Sequence, residues 1–128
     1  ATTVNAATLY IDSGGKIYRS TSSIEYKQDV EDYALEDAWA TITGLRPVSY
    51  RAKEGLSVPE GGEAPFDHGK RHLGFIAEEV DEVEKLLVTY RVEDGEEVPD
   101  ALEYSRIAAP LVAVIKDLKA RIEILEAN

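Results

Sequence analysis

The sequence predicts a small mixed α+β domain with a β-rich N-terminal segment and a C-terminal heptad helix. Three observations point there. Residues 1–21 are short β-branched and aromatic runs around a glycine turn, with no charge before Asp12. From Asp32 onward, stretches with helical spacing alternate with short strand-like runs. Near the C-terminus, Leu111, Ile115, Leu118, Ile122 and Leu125 recur at alternating steps of four and three.

At 128 residues the chain has room for one domain plus an appendage. Its 44% apolar content supports a core that is small relative to the surface. The net charge is -11, from 25 acidic and 14 basic side chains. That balance disfavours nucleic-acid backbones, whose binding rests on clustered Lys and Arg, and anionic membrane surfaces. Neither nucleic acid nor membrane is expected as a partner. With no cysteine, a disulfide framework, a zinc–thiolate site and a thiol nucleophile are excluded. No apolar run approaches membrane-spanning length, the N-terminus lacks a signal pattern, and a soluble chain is expected. The chain opens directly on strand-like sequence, as expected of the C-terminal piece of a longer protein.

Leu9–Asp12 and Lys16–Arg19 read as strands joined by Ser13-Gly14-Gly15. A lone hairpin cannot bury both faces, so partner strands are required, from upstream sequence or other chains. Gly14-Gly15-Lys16 lacks the spacing of a phosphate loop and opens no helix; a turn is expected. Ser20-Thr21-Ser22-Ser23 then breaks the strand pattern. Short hydroxyl side chains suit turns and caps, so the ordinary account of Ser22 or Ser23 is a cap for a turn through Ile24–Asp29.

Asp32–Thr43 has helical spacing, with Leu35, Trp39 and Ile42 on one face and Ala38 beside them. Gly44 is expected to stop that helix in the C′ position, and Trp39 to fill the core. Val48–Arg51 resumes as strand. Residues 52–71, with Gly55, Pro59, Gly61, Gly62, Pro65 and Gly69, read as a long loop or arm. His68 and His72 bracket its exit; without a third ligand, a surface or anchoring role is expected rather than a metal site. Leu73–Ala77 reads as a buried strand and Glu78–Leu87 as a short amphipathic helix with carboxylates at its start, a solvated acidic face. Val88–Val92 and Ala101–Tyr104 flank an Asp94-Gly95 turn.

The final helix is read over 105–127. Pro110 requires either an irregular first turn or a regular start near the proline. The seam places Ile at a and Leu at d, with Arg121 at g and Glu126 at e, suited to g-to-e′ pairing of parallel helices. About two heptads are too short to fix the number of chains.

Ser22-Ser23-Ile24-Glu25-Tyr26-Lys27-Gln28-Asp29-Val30, Leu73-Gly74-Phe75-Ile76-Ala77-Glu78-Glu79-Val80 and Tyr104-Ser105-Arg106-Ile107, leading into the terminal helix, together resemble the peptidase S74 domain. This is the C-terminal intramolecular chaperone domain of phage endosialidases, tailspikes, tail fibres and neck appendages, also found in some membrane-bound transcription factors. The resemblance spans roughly residues 20–128 and divides the chain into 1–21, the end of a delivered β-stalk, and 22–128, the chaperone and autoprotease domain. It implies a homotrimer that brings three chains into register so that the upstream stalk folds as an interwoven triple β-helix. The domain then removes itself. The resemblance makes Ser22 the nucleophile, Lys27 the base and Thr21–Ser22 the cleaved bond, with no cofactor. Ser23 is a rival for the nucleophile; its i, i+4 offset to Lys27 suits a helix face. The implied setting is host cytoplasm during phage assembly, with release from the mature virion.

The chemistry has physical requirements of its own. A serine hydroxyl needs an adjacent base, and a lysine serves only when neutral, a form favoured by burial or nearby positive charge. Glu25 and Asp29 would oppose that if they faced Lys27. A five-residue offset turns about 140° on a helix, so the pair needs a break from extended chain into a turn. An oxyanion hole is also required; the sequence identifies no donor for it, and offers His72 and Glu78 only as groups able to orient a base. Two other readings stand beside this one. The domain could be a non-catalytic trimerisation or receptor-binding tip that stays attached, or a nucleotide- or metal-responsive enzyme using Gly14-Gly15-Lys16 or the histidines.

Overall fold

The computed structural model describes residues 9–12, 14–53 and 69–128. The chain divides into two compact units, Ala1–Asp32 and Tyr33–Asn128. Among the described residues the architecture is α+β: helices and three antiparallel two-stranded ladders.

In the first unit, β1 (Leu9–Ile11) pairs with β2 (Ile17–Arg19) as the alternating runs predict. Asp12 builds the turn. Its Oδ1 accepts the Gly14 and Lys16 backbone N–H groups, each at 2.9 Å, and its carbonyl accepts that of Gly15. Those bonds, Lys16's first, hold the Asp12 carboxyl below its usual range. Gly15 sits at φ 81, where a side chain is disfavoured. A phosphate loop needs free amides at this place; here they are already bonded to Asp12, and Gly14-Gly15-Lys16 is a turn. Leu9, Ile11 and Ile17 remain exposed on the hairpin.

In the second unit, α1 (Leu35–Gly44) begins three residues later than the spacing predicts. Its buried residues are Ala38 and Thr41, while Leu35 is exposed and Trp39 and Ile42 are half-buried. The expected core role of Trp39 is therefore corrected: small residues face inward because α1 approaches its neighbours closely. The Trp39 indole N–H instead donates to Asp117 at 2.8 Å. Gly44 is the last helical residue and Leu45 the cap, in extended conformation. A Cβ on Gly44 would lie 3.0 Å from Val83 Cγ1, so the glycine serves close approach rather than a left-handed stop.

β3 (Val48–Tyr50) and β4 (His72–Gly74) form the second ladder. Most of the predicted 52–71 arm, with Gly55, Pro59, Gly61, Gly62, Pro65 and His68, lies outside the described residues. The strand read over Leu73–Ala77 is shorter and not buried. Leu73 is 86% exposed, because alternation in a strand turns it away from the face shared by its neighbours. Phe75 reaches the core edge.

α2 (Ala77–Val83) stops before the predicted end at Leu87, and a 3₁₀ turn, Lys85–Leu87, follows. Glu84 causes the break: it is extended, and its carboxylate accepts the Leu86 N–H at 3.0 Å. β5 (Val88–Glu93) and β6 (Glu96–Leu102) are joined by Asp94 and Gly95 at φ 50 and 80, the two-residue turn expected of Asp-Gly. β6 starts well before the predicted Ala101; its glutamates and Pro99 hide it from a hydrophobicity reading, but pairing with β5 holds it.

A 3₁₀ turn, Tyr104–Ile107, leads into α3 (Ala108–Glu126). Pro110 is its third residue, where a backbone N–H has no partner within the helix. The core is Val80, Leu87, Val88 and Ile107, with Ile42, Leu45, Phe75, Tyr90 and Leu102 packed around it. No helix among the described residues is long and apolar enough to cross a membrane.

Candidate active site

β2 ends at Arg19, and Thr21 and Ser22 follow outside any helix or strand, both exposed. Ser23, at φ -62 and ψ 147, caps a three-residue 3₁₀ turn, Ile24–Tyr26. Its Oγ accepts the Glu25 N–H at 3.2 Å, and its carbonyl accepts that of Tyr26 at 3.0 Å. Lys27 closes the turn, donating its N–H to the Ile24 carbonyl at 3.1 Å, and leaves in extended conformation. Its side chain can then swing back over the turn, and Nζ donates to Ser22 Oγ at 2.8 Å. This is the break in helical geometry that a five-residue offset needs. The pair is within proton-transfer distance.

The two serines thus have different partners: Ser22 Oγ meets the amine, and Ser23 Oγ is occupied as a cap. Among the described residues, no carboxylate lies within ion-pair distance of Lys27 Nζ. Glu25 and Asp29 therefore do not pair with it. Asp29 takes a left-handed φ of 52, a conformation that Asp tolerates better than most residues. Every residue from Arg19 to Asp32 is exposed, the apolar Ile24, Tyr26 and Val30 among them.

His72 and Glu78 belong to the second unit. His72 Nε2 is buried and has no hydrogen-bond partner among the described residues, and the ring lies 5.8 Å from that of Tyr50. No group of residues able to hold a metal ion occurs among the described residues.

On α3 the predicted seam is exposed throughout: Leu111, Ile115, Leu118, Ile122 and Leu125 are 40% to 72% accessible. A neighbouring stripe, Pro110 and Val114, is buried instead. Below it, Arg121 pairs with Asp117 at 3.0 Å and stacks 5.4 Å from the Trp39 ring. Within its own chain Arg121 is engaged by Asp117 and Trp39, while the pairing expected with Glu126 lies between chains.

Sequence reasoning missed a polar group in the second unit. The Tyr33 hydroxyl donates to Glu84 at 2.6 Å and accepts from buried Thr41 at 2.9 Å. Burial, then the bond to Glu84, pushes the Tyr33 hydroxyl up. Tyr33 and Glu84 border a cleft of about 270 Å³ with Leu86, Arg106 and Pro110. No local pattern links residues so far apart in the chain.

In chain order, a β hairpin leads into an exposed Ser–Lys pair, and an α+β unit with an exposed apolar seam on α3 follows. A family model described as peptidase S74, chaperone of endosialidase, matches residues 22–89, just over half of the chain. The chain belongs to this family. The match begins at Ser22 and includes Lys27 and the Leu73–Val80 stretch; Tyr104–Ile107 and α3 lie beyond it. Among curated proteins, no sequence matches the chain.

Proposed function

We propose that this chain is an intramolecular chaperone that trimerises, registers an upstream β-stalk ending near residue 21, and releases itself by cutting Thr21–Ser22. The observation that carries the reading is the 2.8 Å contact between Lys27 Nζ and Ser22 Oγ, at the residue where the family match begins. Neutral Lys27 takes the Ser22 Oγ proton as Oγ attacks the Thr21 carbonyl carbon. The C–N bond breaks and the Ser22 nitrogen receives the proton. The product is an ester of Thr21 on Ser22 Oγ with a free Ser22 amine. Water then attacks the ester, giving a Thr21 carboxylate and restoring the serine hydroxyl. The balance is one peptide bond and one water consumed. The same attack on a neighbouring chain's bond has the same balance.

Catalysis by lysine needs a covered amine, and Lys27 is exposed on the single chain. We therefore place the active form in the assembled trimer, where a neighbour would cover Lys27 and bury the exposed Ile24, Tyr26 and Val30. The same exposure favours the second reading, a clamp that stays attached, with Lys27 a surface charge.

Intact mass of the purified chain, beside Ser22→Ala and Lys27→Ala, separates the two. Fragments ending at Thr21 and starting at Ser22, present in the parent and absent from both variants, are expected. If the parent remains whole even behind a longer fused β-stalk, the clamp reading replaces autoproteolysis.

A further inference from the structure

We propose that Ser23 is a positioning residue for the cleavage: its cap builds the turn that brings Lys27 onto Ser22, and so selects which serine reacts. The proposal rests on the Ser22–Lys27 reading above and adds a residue to it.

Ser22 and Ser23 are chemically equivalent neighbours, and both have Lys27 within a few residues. What separates them is the turn. Ser23 Oγ holds the Glu25 N–H at 3.2 Å, so the Ile24–Tyr26 turn starts at Ser23 and at no other residue. The turn's last bond, Lys27 N–H to the Ile24 carbonyl at 3.1 Å, fixes the Cα from which the amine reaches back. A 3₁₀ turn has three residues per turn, so Ile24–Tyr26 makes one revolution and returns Lys27 to the side from which the chain entered, where Ser22 lies. Beyond its two backbone bonds and the Lys27–Ser22 contact, no packing holds the turn: none of its residues is buried. Short, uncovered turns fray unless capped. Ser23 therefore acts through Lys27 and touches neither the scissile carbonyl nor the transferred proton.

A cap of this kind shifts its equilibrium by enough to change a rate about 3- to 30-fold. The test is the first-order rate of appearance of the Ser22 N-terminus, followed from pH 6 to 11 in the full chain behind a fused β-stalk. Parent, Ser23→Ala, Ser23→Asn and Ser22→Ala are compared. Asn caps about as well as Ser. Ser23→Ala is expected to lower the plateau about 3- to 30-fold without moving the pH of half-maximal rate, because the base is displaced but its surroundings are unchanged. Ser23→Asn is expected to restore the plateau. Thermal unfolding of Ser23→Ala is expected to match the parent, since the turn covers no core, and this separates positioning from a general loss of fold.

Cleavage of Ser23→Ala at the parent rate overturns the positioning role and leaves the Ser22–Lys27 pair standing. Loss in Ser23→Ala as complete as in Ser22→Ala overturns it as well, by making Ser23 the reacting group. An equally slow Ser23→Asn removes the cap as the cause. Cleavage surviving in Ser22→Ala, or an uncut parent, overturns the pair and the positioning role with it.

Discussion

At the scale of single residues, hydrogen bonds to charged groups set the chemistry more than position in the chain does. Tyr90 shows this on the second unit. Its hydroxyl donates to Asp81, which pushes it from 10.0 up to about 12. The same bond, then that of Lys85, holds the Asp81 carboxyl below its usual range. The signs of the two effects on stability are opposite. Tyr90, raised in the folded state, contributes stability that is whole below about pH 10 and is lost as pH rises towards 12. Asp81, lowered when folded, contributes above its unfolded value and loses that contribution as pH falls through the folded one. Unfolding temperatures of parent and Tyr90→Phe across pH 8 to 12 are the check. The parent's decline above pH 10 is expected to be steeper, because Phe removes the titrating hydroxyl. Parallel curves would show that Tyr90 does not couple to folding.

Among elements, glycines report how closely segments approach. Gly74 ends β4, and a Cβ there would lie 2.7 Å from the Tyr104 hydroxyl and 3.3 Å from Tyr50. Tyr104 also stacks near Phe75, with ring centroids 6.2 Å apart, so moving it aside loses a contact at the core edge. Gly74→Ala is expected to destabilise the second unit by about 1–3 kcal/mol, the usual cost of overpacking. Denaturant unfolding measures this, and no change in midpoint would mean that Tyr104 moves away freely. α3 uses two adjacent stripes. Residues 114 and 115 project about 100° apart, so Val114 is buried in its own chain while Ile115 stays exposed. One helix can therefore close its domain and still present an apolar seam.

For the whole molecule, that seam and the Ser22–Lys27 site pose one problem. A seam exposed on a single chain invites a partner of the same kind, and an exposed amine is a poor base until something covers it. Assembly would answer both. Long-range pairing between stalk chains is slow because closure entropy precedes contact, and a clamp raises their effective concentration. In the proposed function, cutting afterwards would leave a stalk whose persistence is kinetic. Ile122→Asp places a charge in the seam and, if the chain is the proposed trimer, is expected to reduce the solution mass by light scattering from three times 14.1 kDa to a single chain. Thr21–Ser22 cleavage is expected to fall with it. Full cleavage by the single chain would uncouple catalysis from assembly.

The sequence alone determined the features that depend on neighbours in the chain. The Asp94-Gly95 turn, the β1–β2 hairpin, the heptad seam and the Ser22–Lys27 offset are local patterns, and backbone sterics or periodicity make them legible. Three motifs in order were enough to indicate the family. Tertiary structure alone decided what depends on approach between distant segments. Trp39 left the core for Asp117 and Arg121, Gly44 proved a contact point for Val83, Leu73 turned outward, and Glu84 ended α2 early while holding Tyr33. The same holds between the two serines. Spacing favoured Ser22 but left Ser23 as a rival, and only the folded turn gave one hydroxyl to the backbone and the other to the lysine. Local sequence limits the conformations a segment can take; which one is kept depends on the partners that folding brings within reach.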